Sequence, residues 1–152
     1  MTVSRSTDIQ APARQVWDLL SDLPGMGRIS PENTGGSWLK GASGPALGAR
    51  FKGSNRNGWR RWSTTVTVSR CEPPTAFAFT VAYFGIPVSE WTYELAAHGE
   101  QACAVTETWA DRRPGWFKGP AGVATGVMTR DDASTAHNLE TSLAALKVLA
   151  ET

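Results

Sequence analysis

Histidine and cysteine are scarce in this chain, and their scarcity removes several chemistries at once. The two histidines are His98 and His137. His98 falls in a predicted turn. His137 lies roughly 160° around the last predicted helix from Leu139, on the solvent side. A zinc site or a histidine-based triad has little to build on. Cys71 and Cys103 show no metal-type spacing and no disulfide framework, so two free thiols in a reducing cytoplasm are expected. Charge of one sign is also lacking. The 15 Lys and Arg residues nearly balance 14 Asp and Glu, leaving a formal +1. So small an excess argues against a dedicated nucleic-acid or anionic-membrane surface. No apolar run approaches the roughly 18 residues that span a bilayer, and Met1–Gln10 has no signal-peptide core. No phosphate loop, dinucleotide fingerprint or nucleophile elbow is found. Repeats and low-complexity tracts are absent as well.

Aromatic residues, by contrast, are plentiful: seven Trp and five Phe in 152 residues. The composition is 41% hydrophobic and 19% charged, that of a globular protein long enough to bury a core without staples. The expectation is a cytoplasmic protein folded as a single domain over residues 1–152. It needs no metal or cofactor, meets no nucleic acid and inserts into no membrane. Monomer and homodimer are both open.

The pattern begins with a strand over Val3–Ile9. Ala11-Pro12 then opens a helix in which Val16, Leu19, Leu20 and Leu23 recur at helical spacing, ended by Pro24-Gly25. Met26–Pro31 has room for one more short helix. Strands follow near Thr34–Lys40, Ala49–Arg56, Arg60–Cys71, Ala76–Phe84, Ser89–Ala97 and Gln101–Asp111. Asn57-Gly58 is the strongest turn signal, and the short connections require antiparallel pairing. Met128–Glu151 lacks Gly and Pro and reads as a long helix. Met128, Asp132, Thr135, Leu139, Leu143, Leu146 and Ala150 share one of its faces. A curved seven-stranded sheet cannot bury its concave face alone, and this helix is its natural cover.

Several strings within that order resemble a known family. They are Ile9-Gln10-Ala11-Pro12-Ala13-Arg14-Gln15-Val16-Trp17-Asp18-Leu19-Leu20-Ser21-Asp22, then Trp91-Thr92-Tyr93-Glu94-Leu95 and Val105-Thr106-Glu107-Thr108-Trp109. Asn138-Leu139 and Leu143 to Lys147 close the chain. The chain resembles the START-like (SRPBCC) superfamily, in its polyketide cyclase/dehydrase and lipid-transport branch, over essentially its whole length. The resemblance implies an α+β helix-grip fold: a curved seven-stranded antiparallel sheet wrapped around a long C-terminal helix, with one or two short helices after the first strand. It implies an apolar ligand in a cavity but identifies no activity.

Strand alternation selects an inward set without help from the family, by taking the more apolar phase of each strand. The set is Phe51, Gly53 and Asn55; Trp62, Thr64, Val66 and Val68; Phe77, Phe79, Val81 and Tyr83. It continues with Trp91, Tyr93 and Leu95, then Cys103, Val105, Glu107, Trp109 and Asp111. Of these, Phe51, Asn55, Trp62, Thr64, Phe79, Val81, Trp91, Val105 and Trp109, with Thr135 and Leu139 from the helix, are the candidate ligand-binding residues. Apolar walls with a few orienting polar groups are what a small-molecule site requires.

Glu107, between Val105 and Trp109, is the sharpest residue of the set. A buried carboxylate has to be paired, hydrogen-bonded or protonated. One reading makes it a structural anchor held by a salt bridge or a tyrosine. The other makes it a polar anchor or general acid/base, with a pKa raised by burial. Tyr93, Tyr83 and Asp132 are the other catalytic candidates, although an acid near the start of a helix is favourable for its dipole alone. Arg112-Arg113 is either a solvated strand end or a pocket-mouth cation meeting Glu107, Asp132 or a ligand anion. Pro114–Gly126 carries Trp116 and Phe117 and is either a lid or a packed surface loop. The basic, aromatic run Asn55–Trp62 reads as a hairpin tip with a solvated face.

Three functions remain open. The first is a carrier of a lipid or polyketide-like molecule. The second is a cofactor-independent aromatase/cyclase or dehydratase using the same cavity. The third is a protein-interaction module like the chaperone-activating relatives of the fold, which the start of this chain resembles less well.

Overall fold

The computed structural model describes residues 2–29, 33–113 and 132–152, apart from the side chains at 33, 34, 57, 60 and 132–134. Strand β1 (Thr2–Ile9) leads into helix α1 (Ala13–Leu20) and a short 3₁₀ helix (Leu23–Arg28). Six strands follow: β2 (Asn33–Trp38), β3 (Arg50–Asn57), β4 (Arg60–Glu72), β5 (Ala76–Tyr83), β6 (Ile86–Ala97) and β7 (Cys103–Asp111). Helix α2 (Asp132–Glu151) closes the chain. The strands form one antiparallel sheet in the order β1-β7-β6-β5-β4-β3-β2. This is the expected helix-grip arrangement. Helix α2 lies against β1, β7 and α1. No helix among the described residues is long and apolar enough to cross a membrane.

Some predicted boundaries shift for local reasons. Helix α1 ends at Leu20, and Leu23 and Met26 reach the core from the 3₁₀ turn instead, where Pro24 is tolerated at the N-terminal end. Strand β6 begins at Ile86, before Pro87 rather than after it. Pro87 pairs with Ala82 where the ladder register shifts, a position at which a missing N–H is accommodated. A second shift in β4 skips Ser69 and returns Cys71 to face the same side as Phe77. The predicted hairpin forms one residue later than the dipeptide implies: Asn57 ends β3 opposite Arg60, and the two-residue loop is Gly58-Trp59, with Gly58 at φ +66° in its first position. The part of the predicted last helix before Asp132 lies outside the described residues.

Antiparallel order puts the β3–β4 and β5–β6 turns, the start of β1 and the end of β7 at one end of the sheet. The opposite end is sealed. There Ile9, Val16, Leu20, Phe51, Val68, Phe77, Cys103 and Leu146 have at most 1% of their surface exposed. Trp17 locks α1 to this end. Its indole N–H donates to the carbonyl of Ala76 at 2.9 Å, and its ring meets Phe77 edge-on at 5.8 Å.

Trp17→Phe removes that donor and leaves a buried carbonyl without it. Stability is expected to fall by roughly 2–3 kcal/mol. The urea midpoint should move down while the slope of the transition stays the same.

Candidate functional site

Register decides which side chains share a face, because directly opposed residues point the same way. Trp91 opposes Trp109, Tyr93 opposes Glu107, and Leu95 opposes Val105. Phe79 opposes Trp91 on one side and Val68 on the other. Val81 opposes Val66, which opposes Phe51. Gly53 opposes Thr64, and Asn55 opposes Trp62. All the inward residues read from alternation therefore lie on one face of the sheet. Phe79 stacks on Trp91 at 6.5 Å and 20°. From α2, Leu139 and Ala136 pack with Val3 and Trp109, and Thr135 and Leu139 are fully buried.

The face is not uniformly covered. Toward the hairpin end Asn55, Trp62, Val81, Tyr83 and Trp91 are only half-buried, although they share the phase of the sealed core. The aromatic surface thus becomes accessible toward that end. Asn55 donates its amide N–H to Thr64 Oγ1 at 3.1 Å, a polar pair on this wall.

Glu107 lies deeper and is fully buried. The Tyr93 hydroxyl donates to its Oε2 at 2.5 Å, while Oε1 has no hydrogen-bond partner. No Lys, Arg or His among the described residues forms an ion pair with it. Burial therefore lifts the Glu107 pKa from 4.5 to about 7, against the smaller opposing effect of the Tyr93 hydrogen bond. Burial first, and then the neighbouring carboxylate, hold the Tyr93 phenol well above its ordinary range. Thr135 Oγ1, on the covering helix, is the other buried oxygen without a partner. An unsatisfied buried polar atom costs about 1–3 kcal/mol, so each invites a hydrogen-bonding occupant.

Other candidates fall elsewhere. Tyr83 is in the inward phase but sits at the β5–β6 turn, half-buried and edge-on to Phe84 at 4.5 Å, far along the strand from the Glu107–Tyr93 pair. The side chain of Asp132, and Trp116 and Phe117 with the whole candidate lid, lie outside the described residues. Arg112 reaches Glu90 at 2.9 Å on the surface. Arg113 meets neither Glu107 nor solvent alone: its guanidinium grips Asp111 with both nitrogens, at 2.8 and 2.6 Å, and the pair is buried. Two-residue spacing at a strand end is the one signal that could have suggested it. Trp38, edge-on to Phe51 at 5.3 Å, extends the aromatic wall onto β2 and escaped the sequence reading because Gly35 and Gly36 blur that strand's alternation. Burial raises the thiol pKa of Cys71 and of Cys103, which keeps both from being ready nucleophiles. No cluster of three metal-ligating side chains occurs among the described residues.

The raised Glu107 pKa fixes a pH dependence. Below 4.5 the carboxyl is neutral in folded and unfolded chains alike. Between 4.5 and about 7 only the unfolded chain ionises, so stability declines as pH rises, by an amount on the order of 3 kcal/mol, and levels off above 7. Glu107→Gln keeps an acceptor for Tyr93 and should flatten this decline. Denaturation midpoints of the two proteins are expected to converge near pH 5 and to favour the variant at pH 8.

Solved structures of the same architecture extend over nearly the whole chain. A polyketide-cyclase-like protein from Corynebacterium glutamicum is 27% identical, with a TM-score of 0.65, covering 97% of this chain and 90% of its own. The Zhui aromatase/cyclase from Streptomyces sp. R1128 is 17% identical at a TM-score of 0.70, with 99% and 93% covered. The major latex-like protein 151 of ginseng, Panax ginseng, is 11% identical at 0.73, with 100% and 98% covered. The last two likenesses show the fold alone. No curated protein matches this sequence. The model of one family, described as polyketide cyclase/dehydrase and lipid transport, matches residues 1–151, and the helix-grip sheet agrees with it: the chain belongs to the polyketide cyclase/dehydrase and lipid-transport family of the START-like superfamily.

Proposed function

We propose that the chain binds a hydrophobic, lipid- or polyketide-like small molecule on the inward face between the sheet and α2. The observation that carries this reading is the pair of unpartnered buried oxygens, Glu107 Oε1 and Thr135 Oγ1, within an aromatic and aliphatic surface. Phe51, Trp62, Phe79, Val81, Trp91, Val105, Trp109 and Leu139 supply the apolar walls in this proposal. Asn55, Thr64, Thr135 and Glu107 orient the ligand. An apolar molecule bearing a hydroxyl or carbonyl group would replace the missing hydrogen bonds while covering the half-buried aromatics. Trp116 and Phe117 would close over it from the Pro114–Gly126 segment. The family's description, polyketide cyclase/dehydrase and lipid transport, is consistent with such a ligand.

The Glu107–Tyr93 pair favours a second reading, an aromatase/cyclase or dehydratase. A carboxyl group with a pKa about 7 can give or take a proton at neutral pH. The Tyr93 hydrogen bond fixes one of its oxygens and leaves the other facing whatever binds beside it. Holding a flexible polyketide-like chain in one conformation and moving protons along it needs no metal. Tyr83 and Asp132 are less central to this reading, Tyr83 because of its distance along the strand.

Native mass spectrometry of the purified protein is expected to retain an apolar small molecule, and Trp91→Ala to weaken its rebinding about tenfold. Absence of any bound species, together with no binding across a panel of lipids and aromatic polyketides, would refute the carrier reading. If the ligand accepts a hydrogen bond from Glu107, its affinity should weaken as pH rises through 7, because only the protonated carboxyl donates. Turnover surviving in Glu107→Gln at the wild-type rate rules out the acid/base role.

A further inference from the structure

The small net charge of this chain conceals a sharp segregation. Residues 33–71 hold seven of the fifteen Lys and Arg residues and none of the fourteen Asp and Glu residues. Every acid of the chain belongs to the remainder, where only eight basic residues accompany them. That stretch covers β2, β3 and β4 up to Cys71, one flank of the sheet; β4 ends in Glu72, which pairs with Arg70 at the end away from the β3–β4 turn. Charge asymmetry on this scale creates a local field that the overall balance hides.

The β3–β4 hairpin concentrates it. Arg56 and Arg61 are direct cross-strand partners on the convex face, next to the Ser54–Ser63 pair and then Lys52–Thr65. Like charges placed directly opposite each other are unfavourable in a ladder. Both arginines are exposed, and neither has an acidic partner among the described residues. Arg56 is steadied by donating from Nε to the carbonyl of Gly58 at 2.9 Å. Together with Ser54 and Ser63, the two arginines border a surface hollow of about 480 Å³ that also touches Asn55 and Trp62. Guanidinium and hydroxyl donors around one hollow suit a phosphate or similar anion.

The turns beyond this patch carry large apolar side chains in full view. Trp59, at the tip of the β3–β4 hairpin, is 85% exposed, and Phe84, at the β5–β6 turn, is 87% exposed. The two hairpins project from the same end of the sheet, with axes on the order of 10 Å apart. An acidic protein or a nucleic acid would satisfy the arginines. A bilayer surface also accepts a Trp and a Phe at headgroup level, where aromatic rings are favoured. We infer that the hairpin end of the β2–β4 flank is a peripheral docking surface for an anionic lipid bilayer, with Arg56 and Arg61 on the phosphates and Trp59 and Phe84 at the interface. The juxtaposition does not depend on what the inward face binds, so its failure would leave the ligand reading intact.

The test is co-sedimentation of the full chain with vesicles of an equimolar mixture of phosphatidylglycerol and phosphatidylcholine, alongside pure phosphatidylcholine vesicles. Partition is expected on the mixed vesicles, weak on the neutral ones, and falling steeply with added salt. The Arg56→Gln/Arg61→Gln double variant should lose about tenfold or more in partition. Arg56→Lys/Arg61→Lys keeps the charge and should retain most of it. Trp59→Ser and Phe84→Ser should each lose several-fold while the salt dependence stays. Equal partition on neutral and anionic vesicles, or none on either, would overturn the inference. So would full partition of the double glutamine variant, or retention on a single-stranded oligonucleotide that the mixed vesicles fail to compete away.

Discussion

The hydrogen bond from Tyr93 to Glu107 is the interaction on which the interior depends. A carboxyl group at the centre of an apolar sheet face cannot stay ionised there without partners, and only one of its two oxygens has one. Its neighbours on the ladder are Val105 and Trp109 on its own strand, Tyr93 on β6 and, on β1, Arg5, whose guanidinium pairs with Glu140. Removing the group from water raises its pKa to about 7. The fold therefore holds a proton donor that becomes an acceptor within the range of neutral pH. An apolar residue of similar volume there would often pack as stably or more so.

The sheet divides that labour along its length. At the sealed end Trp17, Phe77, Ile9 and Leu146 interlock, and the large aliphatic and aromatic side chains leave little surface to water. Stability resides there. At the hairpin end the same alternating phase continues, but Trp62, Val81, Tyr83 and Trp91 keep part of their surface accessible. A single concave face thus passes from sealed core to partly accessible aromatic surface with no change in sequence pattern. Glu107 lies where the two regimes meet. The buried Asp111–Arg113 pair closes the end of β7.

Charge follows a different division, across the sheet rather than along it. Residues 33–71 on the β2–β4 flank carry basic residues and no acid, and the rest of the molecule is net acidic. The total of +1 does not display this division, because opposite charges on separate flanks cancel in the sum. On the convex face of the β3–β4 hairpin the exposed cross-strand pair is Arg56 and Arg61.

The antiparallel pairing of successive strands and the inward phase were legible from residues alone, whereas the place of β1 beside β7 was not, because that pair joins the two ends of the run of strands. Alternation has a period of two, which fixes the phase; it does not fix the register of the β3–β4 hairpin, whose loop is Gly58-Trp59 rather than Asn57-Gly58. Leu139, Leu143, Leu146 and Ala150 likewise revealed the covering face of α2 by their spacing, and all four are buried. Tyr93 and Glu107 could each be named as inward. That they meet at hydrogen-bond distance could not, because they are neighbours only across two strands whose relative register the bulge-free β6–β7 ladder sets. The partner of Arg113, the half-burial of Trp91 and the placing of Arg56 opposite Arg61 also waited on three-dimensional packing. Local periodicity determines which way a side chain points. Which other side chain it finds, and how much water remains between them, is decided only when distant segments are brought together.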